Sequence, residues 1–224
     1  MASIIELITV TFKPDLQPSP GHPPSSFVSS VCDQIGRVPG VVALHHGGVQ
    51  ERPSDWMLAV RWRSPAHLDG FLASAERTAW LARLHAVSKR DVIRRLSLAG
   101  RPVDALSAPC TEVFFALGTD GDFVHGRLKP FVEALEAEAM HGFHASAWGP
   151  LELVACHGDE QQPPSSDASA AAAMLIGWDS KEAHLAHRGD GKAIDRHIQI
   201  VRDGRKAVEV CHVKMTVSMA PNQL

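Results

Sequence analysis

The sequence predicts an α+β protein made of two tandem β-α-β-β-α-β repeats, residues 1–100 and 108–220. Their antiparallel sheets would pack into a barrel with the helices outside. Three observations predict it. Trp62-Arg63-Ser64-Pro65-Ala66-His67-Leu68 is answered by Trp178-Asp179-Ser180-Lys181-Glu182-Ala183-His184-Leu185. A repeat at that spacing marks two similar units of roughly 100 residues each. Each copy follows an apolar run, Met57-Leu58-Ala59-Val60 and Met174-Leu175-Ile176-Gly177. Around both copies, strand-like and helix-like periodicities alternate in the same order.

In the first repeat, residues 3–12 are β-branched and apolar, a strand. Pro14, Pro18, Pro20, Pro23 and Pro24 make the loop behind it. Ser25-Ser26 can cap a helix through Phe27, Val28, Val31, Cys32 and Ile35, stopped by Gly36, Pro39 and Gly40. Residues 41–46 and 56–62 read as the second and third strands, across a turn with Gly47, Gly48, Pro53 and Ser54. Ser64-Pro65, a cap followed by proline at the first helical position, opens one or two helices reaching about His85. Residues 91–98 form the fourth strand.

A linker, residues 99–110, leads to the second repeat. Residues 111–117 are a strand, and 122–140 a helix with Phe123, Leu128, Phe131, Val132 and Leu135 as its apolar positions. Residues 143–148 and 151–156 form one long strand interrupted at Gly149-Pro150. The polar run from Asp159 to Ser166 reads as a flexible hairpin loop. Residues 171–178 are the next strand, 180–200 are helical with a break at Gly189-Asp190-Gly191, and 208–217 close the unit. Each half is thus a ferredoxin-like unit.

The chain has 224 residues, 45% hydrophobic and 21% charged, with net charge −3. That is an ordinary globular composition, able to bury a sizeable core. Lys89-Arg90 and Arg94-Arg95 are short basic stretches with no aromatic-studded patch around them, so nucleic acid is not an expected partner. No apolar run approaches the ~20 residues of a membrane span. The N-terminus has no basic n-region before an apolar stretch, so no secretory signal is expected and the cytoplasm is the expected location. Cys32, Cys110, Cys156 and Cys211 are widely spaced, which predicts reduced and mostly buried thiols. Tyrosine is absent and histidine abundant, at 13 residues. Histidine is therefore the natural proton-transfer side chain near neutral pH.

The third strand ending Trp-x-Ser, followed by a helix starting with Ala-His, resembles the dimeric α/β-barrel superfamily in its fused two-repeat form. Trp62, Ser64, Ala66 and His67 carry it in one half, and Trp178, Ser180, Glu182, Ala183 and His184 in the other. Gly40-Val41 and Gly47 match the lead-in to the second strand. The resemblance covers essentially the whole chain. It takes in antibiotic-biosynthesis monooxygenases, EthD-like proteins and polyketide cyclases, and the superfamily also hosts dehalogenase-like enzymes, haem enzymes and stress proteins. It implies an apolar cavity between sheet and helices within one unit, with a few His or polar groups pointing in.

The start of the second unit's late helix corresponds to the region that often supplies a catalytic histidine in such proteins. His184 and His187, at i and i+3, share one helical face. They are the leading catalytic candidates, against the plainer reading that they solvate a helix end. His67 mirrors His184 and is a weaker one. In His45-His46, successive strand side chains point to opposite faces, so one must face an interior. His45 is read as a catalytic candidate and His46 as a substrate contact, or either as a hydrogen-bonded core histidine. Arg61 has opposite parity to Trp62; facing inward it could hold an enolate or carboxylate, against the plainer reading that it is exposed at the surface. His144 and Trp148 share parity with Ser146 and could line one wall. Trp178 is a substrate contact or, with Met174 and Ile176, a core stripe. His197 and His212 have no assigned duty.

No metal site is expected, since neither HxH nor HExxH spacing occurs. GxGxxG, GxxxxGK[ST] and GxSxG are also absent. The expected function is a cofactor-independent enzyme of polyketide-type specialised metabolism, acting on a hydrophobic small molecule. A histidine would abstract an acidic proton for cyclisation, dehydration or isomerisation. The alternatives are a cofactor-free oxygenase of an electron-rich substrate, a haem-binding barrel, and a non-catalytic ligand-binding barrel of the stress type. Fusion of two units removes the need for a homodimer without forbidding one.

Overall fold

The computed structural model of the chain describes residues 3–19, 21–158 and 170–219. The expected hairpin loop from Asp159 to Ser166 lies outside the described residues. The chain is a mixed α/β protein with antiparallel strands and forms two compact units. One comprises Ser3–Arg95 with residues 153–158 and 216–219, and the other residues 96–152 and 170–215.

The N-terminal unit begins with β1 (Ser3–Phe12), which runs antiparallel to β3 (Asp55–Trp62). Between them in sequence come α1 (Ser25–Phe27), a π-helical turn over Val28–Cys32, α2 (Asp33–Ile35) and β2 (Val41–Gly48). After β3 follow α3 (Pro65–Leu72), α4 (Ala75–Val87) and β4 (Ser88–Gly100). The strand order is β4-β1-β3-β2. Ser74 starts α4 by accepting the backbone N–H of Arg77 at 3.1 Å. The core lies between sheet and helices: Ile8, Val10, Leu58, Val60 and Trp62 pack with Phe27, Val31, Leu68, Phe71 and Trp80.

In the C-terminal unit, β5 (Cys110–Leu117) is followed by a π-helical segment, Phe123–Leu128, that runs into α6 (Lys129–Ala137). Next come β6 (Phe143–His157), β7 (Ala171–Trp178), α7 (Lys181–Ala186), α8 (Ala193–His197) and β8 (Ala207–Val213). The strand order is β8-β5-β7-β6. Both β4 and β6 contribute residues to each unit.

Three details differ from the sequence reading. The linker holds a helix, α5 (Pro102–Ser107), begun by proline at its first position. Gly149-Pro150 does not interrupt β6, because the pairing with β7 continues through Gly149↔Ala173 and Pro150↔Ala172. The closing strand, expected over 208–217, stops at Val213. A separate strand, β9 (Thr216–Met219), pairs with β2 in the N-terminal unit.

Cys32, Cys110 and Cys211 are buried and Cys156 is exposed, and none of the four is in a disulfide. Among the described residues, no helix is long and apolar enough to cross a membrane.

Candidate active site

In the C-terminal unit the sheet face toward the helices is apolar, built from Cys110, Phe114 and Ala116 of β5 and Met174, Ile176 and Trp178 of β7. Strand alternation places Glu112 on that same face, level with Ile176 on one side and His212 on the other. Glu112 is only 6% exposed. Its Oε2 accepts the indole N–H of Trp178 at 3.0 Å and lies 3.7 Å from His184 Nδ1.

Local structure brings His184 there. The Ser180 hydroxyl accepts the Ala183 N–H at 3.1 Å and fixes the first turn of α7, which directs the next residue back at the sheet. His184 Nδ1 then sits 2.7 Å from His212 Nε2, with both residues buried. A hydrogen bond between two imidazole nitrogens needs one N–H and one lone pair, so a single proton bridges the pair. The Trp178 ring stacks on His184 at 5.3 Å and on His187 at 5.8 Å. His187 Nε2 donates to the His141 carbonyl at 2.9 Å, which leaves Nδ1 as the lone-pair nitrogen of the neutral ring.

Burial pushes the Glu112 carboxyl above the usual carboxylate range, against the opposing pull of Trp178, His212 and Arg188. The site thus combines a carboxyl that holds its proton readily with two imidazoles sharing another, all in an apolar shell. Such a group can take a proton from a bound molecule and delocalise the resulting charge. Among the described residues, no group of three or more His, Cys, Asp or Glu side chains is arranged to hold a metal ion.

His184, His187 and Trp178 therefore converge, joined by two residues that sequence reasoning left out: Glu112 and His212. A signal for Glu112 was present, as a lone acid beside the apolar run Val113-Phe114-Phe115-Ala116, matched by Glu6 inside the first strand. No sequence signal singled out His212.

Of the expected wall of His144, Ser146 and Trp148, the last two share the helix-facing side, level with Ile176 and Met174, and His144 does not join them. The β6–β7 register shifts between Phe143 and Ala145. His144 instead meets Asp179 at the surface, 2.7 Å from Nε2 to Oδ1. Ser146 donates to Glu136 at 2.5 Å, and Trp148 lies edge-on to His125 against the apolar core.

In the N-terminal unit the same register positions hold different chemistry. Ile4 pairs with Trp62 as Cys110 pairs with Trp178, so Glu6 and Glu112 are equivalent, each two residues further on. Glu6 is fully buried and receives Arg77 at 2.7 Å. The Arg77 guanidinium is also sandwiched against Phe71 and Trp80. Burial nevertheless pushes the Glu6 carboxyl up. His67 does not mirror His184. It lies three residues after Ser64, whose hydroxyl is 2.8 Å from its Nδ1. His184 lies four residues after Ser180, so its counterpart is the buried core residue Leu68. His67 packs over Gly40 (φ +93°), where an added Cβ would come within 2.3 Å of the imidazole. In the C-terminal unit Gly142 (φ +79°) stands at the matching place, where an added Cβ would come within 3.0 Å of the Ala183 methyl. The two glycine carbonyls accept matching bonds, from Arg63 N–H and Asp179 N–H, both at 2.8 Å.

His46 is a core residue whose Nδ1 accepts the Trp56 indole N–H at 3.3 Å, and burial pushes its pKa down. His45 and Arg61 lie on the opposite face of that sheet from His46 and Trp62, within the N-terminal unit.

No family model matches the chain, and no curated protein matches it in sequence. Solved structures match it over nearly its whole length. An anthrone oxidase-like protein aligns with TM-score 0.62 at 15% identity, covering 97% of this chain and 95% of the other. A candidate monooxygenase from Fusobacterium nucleatum aligns with TM-score 0.59 at 12% identity, over 96% and 94%. Another from Lactobacillus acidophilus NCFM aligns with TM-score 0.56 at 10% identity, over 99% and 97%. These proteins are ferredoxin-like α/β barrels, and the likeness is one of fold.

Proposed function

We propose that the chain is a cofactor-free oxygenase acting on a largely apolar, electron-rich small molecule with an acidic C–H or O–H, such as a polyketide-derived phenol or anthrone. The carrying observation is the His184–His212 imidazole pair against Glu112 in an apolar half-core. The pair is the base. It takes a substrate proton, and the apolar shell raises the energy of the resulting anion enough for it to give up electrons to dioxygen. At a methylene carbon both C–H bonds break and a C=O double bond forms, so the carbon is oxidised and dioxygen is reduced. The O–O bond breaks: one oxygen atom stays in the carbonyl, and the other leaves as water with the two hydrogens. The names given to the fold neighbours support this outcome over the cyclisation or dehydration that the same base could perform.

We also propose that the two halves are copies of one ferredoxin-like unit. The strand orders, the Glu6/Glu112 registers and the Gly40/Gly142 bonds support it. Only the second copy keeps the base pair. In the first, Arg77 and Leu68 occupy the corresponding place with an ion pair and an aliphatic side chain.

The test is dioxygen uptake with anthrone as probe. The native protein is expected to consume one dioxygen per carbonyl formed, and His184→Gln to slow this by about 10²-fold or more. Conversion that proceeds equally under argon would discard the oxygenase reading and leave the proton-transfer reading.

A further inference from the structure

In the N-terminal unit a cleft of about 210 Å³ opens between α2 and α4, lined by Gln34, Val38, Glu76, Ala79, Trp80 and Arg83. Positions 76, 79, 80 and 83 belong to α4 and form one stripe along a single face of that helix. Glu76 and Arg83 stand at the two ends of the stripe, two turns and about 10 Å apart along the axis. Ala79 and Trp80 lie between them.

The floor of the cleft is apolar and fixed. Trp80 is 2% exposed and donates its indole N–H to the Val31 carbonyl at 3.1 Å, in the π-helical turn that leads into α2. The Arg77 guanidinium lies 5.0 Å from the same ring and is itself tied to Glu6. Val38 is buried and lines the cleft from the α2 side.

The rim is polar and unused. Among the described residues, the side chains of Gln34, Glu76 and Arg83 take part in no hydrogen bond or ion pair. Both ends of the α4 stripe are exposed. The C-terminal unit closes its own helix junction differently. There Glu138, just past α6, takes His197 of α8 at 2.7 Å and also Arg196.

A cleft with an acid at one end, a guanidinium at the other and an apolar floor between is complementary to an extended zwitterion. An ammonium at Glu76 and a carboxylate forked on Arg83 would each make charge-assisted hydrogen bonds. An unbranched methylene chain joining them would lie over Trp80 and leave water there. An α-amino acid holds its two charges too close together to reach both ends.

We propose that this cleft is a binding site for a small ω-amino acid, held by Glu76 at its ammonium and by Arg83 at its carboxylate. Gln34 adds a donor and an acceptor from the α2 side. The site is separate from the histidine pair and performs no chemistry.

Calorimetric titration of the full chain with 6-aminohexanoate tests it. One molecule should bind per chain. Hexanoate and hexylamine, which each keep one of the two charges, should bind about threefold or more weakly. Glu76→Gln should lose the preference for 6-aminohexanoate over hexanoate, and Arg83→Gln the preference over hexylamine. His184→Gln should bind like the native protein, so loss of the oxygenase reading leaves this site standing. Independently of any variant, the Trp80 indole N–H resonance should move on saturation. The proposal is overturned by absence of binding up to about 10 mM 6-aminohexanoate, by equal affinity for the singly charged compounds, by unchanged preferences in the two variants, or by an unmoved Trp80 resonance.

Discussion

His184 Nδ1 and His212 Nε2 are 2.7 Å apart, one on a helix and the other on the strand at the edge of β5. One proton lies between them, so removing either imidazole removes the pair as a base. His184→Gln and His212→Gln are each expected to slow turnover about 10²- to 10⁴-fold, and the double variant no further. A double-variant cycle in anthrone oxidation measures this. Additive losses would mean the two rings act separately.

Glu112 carries a pH signature. Its folded pKa is raised above the ordinary 4.5, so between 4.5 and that higher value the native state holds a proton that the unfolded chain has released. Stability therefore falls as pH rises through that window. Glu112→Gln keeps an oxygen for the Trp178 N–H and removes the titration. Urea midpoints taken upward from pH 4.5 should decline in the native protein and flatten in this variant.

Arg77 neutralises a carboxylate that has no route to water, since the Glu6 and Arg77 side chains are 0% and 6% exposed. Arg77→Met is expected to cost about 3 kcal/mol or more, by leaving the carboxyl uncompensated. Arg77→Met with Glu6→Leu should recover most of it. Chemical denaturation of the three proteins checks both statements, and an Arg77→Met variant as stable as native would contradict them.

His45 sets an acid limit. Burial, then Arg61 and His46, lower its folded pKa from 6.5 to about 4. As pH drops from 6.5 toward 4 the unfolded chain gains a proton that the native state refuses. Stability falls over that span, by about 3 kcal/mol in total. His45→Leu should lose this component, seen as a flatter dependence of unfolding free energy on pH in acid.

Gly40 combines a positive φ with the imidazole of His67 lying over it. Gly40→Ala is expected to cost about 2 kcal/mol or more, from backbone strain plus the clash. Adding His67→Ala should return the clash component and leave about 1 kcal/mol of backbone strain. Equal losses in the single and double variants would show that the ring moves aside freely.

Much of the architecture was legible because hydrophobic periodicity is local. The runs at 3–12, 56–62, 111–117 and 171–178 alternate or stay apolar over a strand's length, and the structure places β1, β3, β5 and β7 there. The helix in the linker was not legible. Pro102 and Ala105-Leu106 form too short a pattern to stand out from a loop, and α5 depends on packing, with its Ala105 carbonyl accepting the Thr111 hydroxyl at 2.8 Å.

Sequence by itself determined that Trp62 and Trp178 each end a strand and that a Ser-capped helix follows the second, because a cap and a strand alternation are written in consecutive residues. It also put His184 in view. Tertiary structure decided the rest. His212 became the partner of His184, and Glu112 the acid beside it, only when β8, β5 and β7 lined up in register. A one-residue difference in spacing from Ser64 and Ser180 turned His67 onto Gly40 and gave the His184 position to Leu68. A helix turns about 100° per residue, so letters that read alike in sequence can point to different places in the fold.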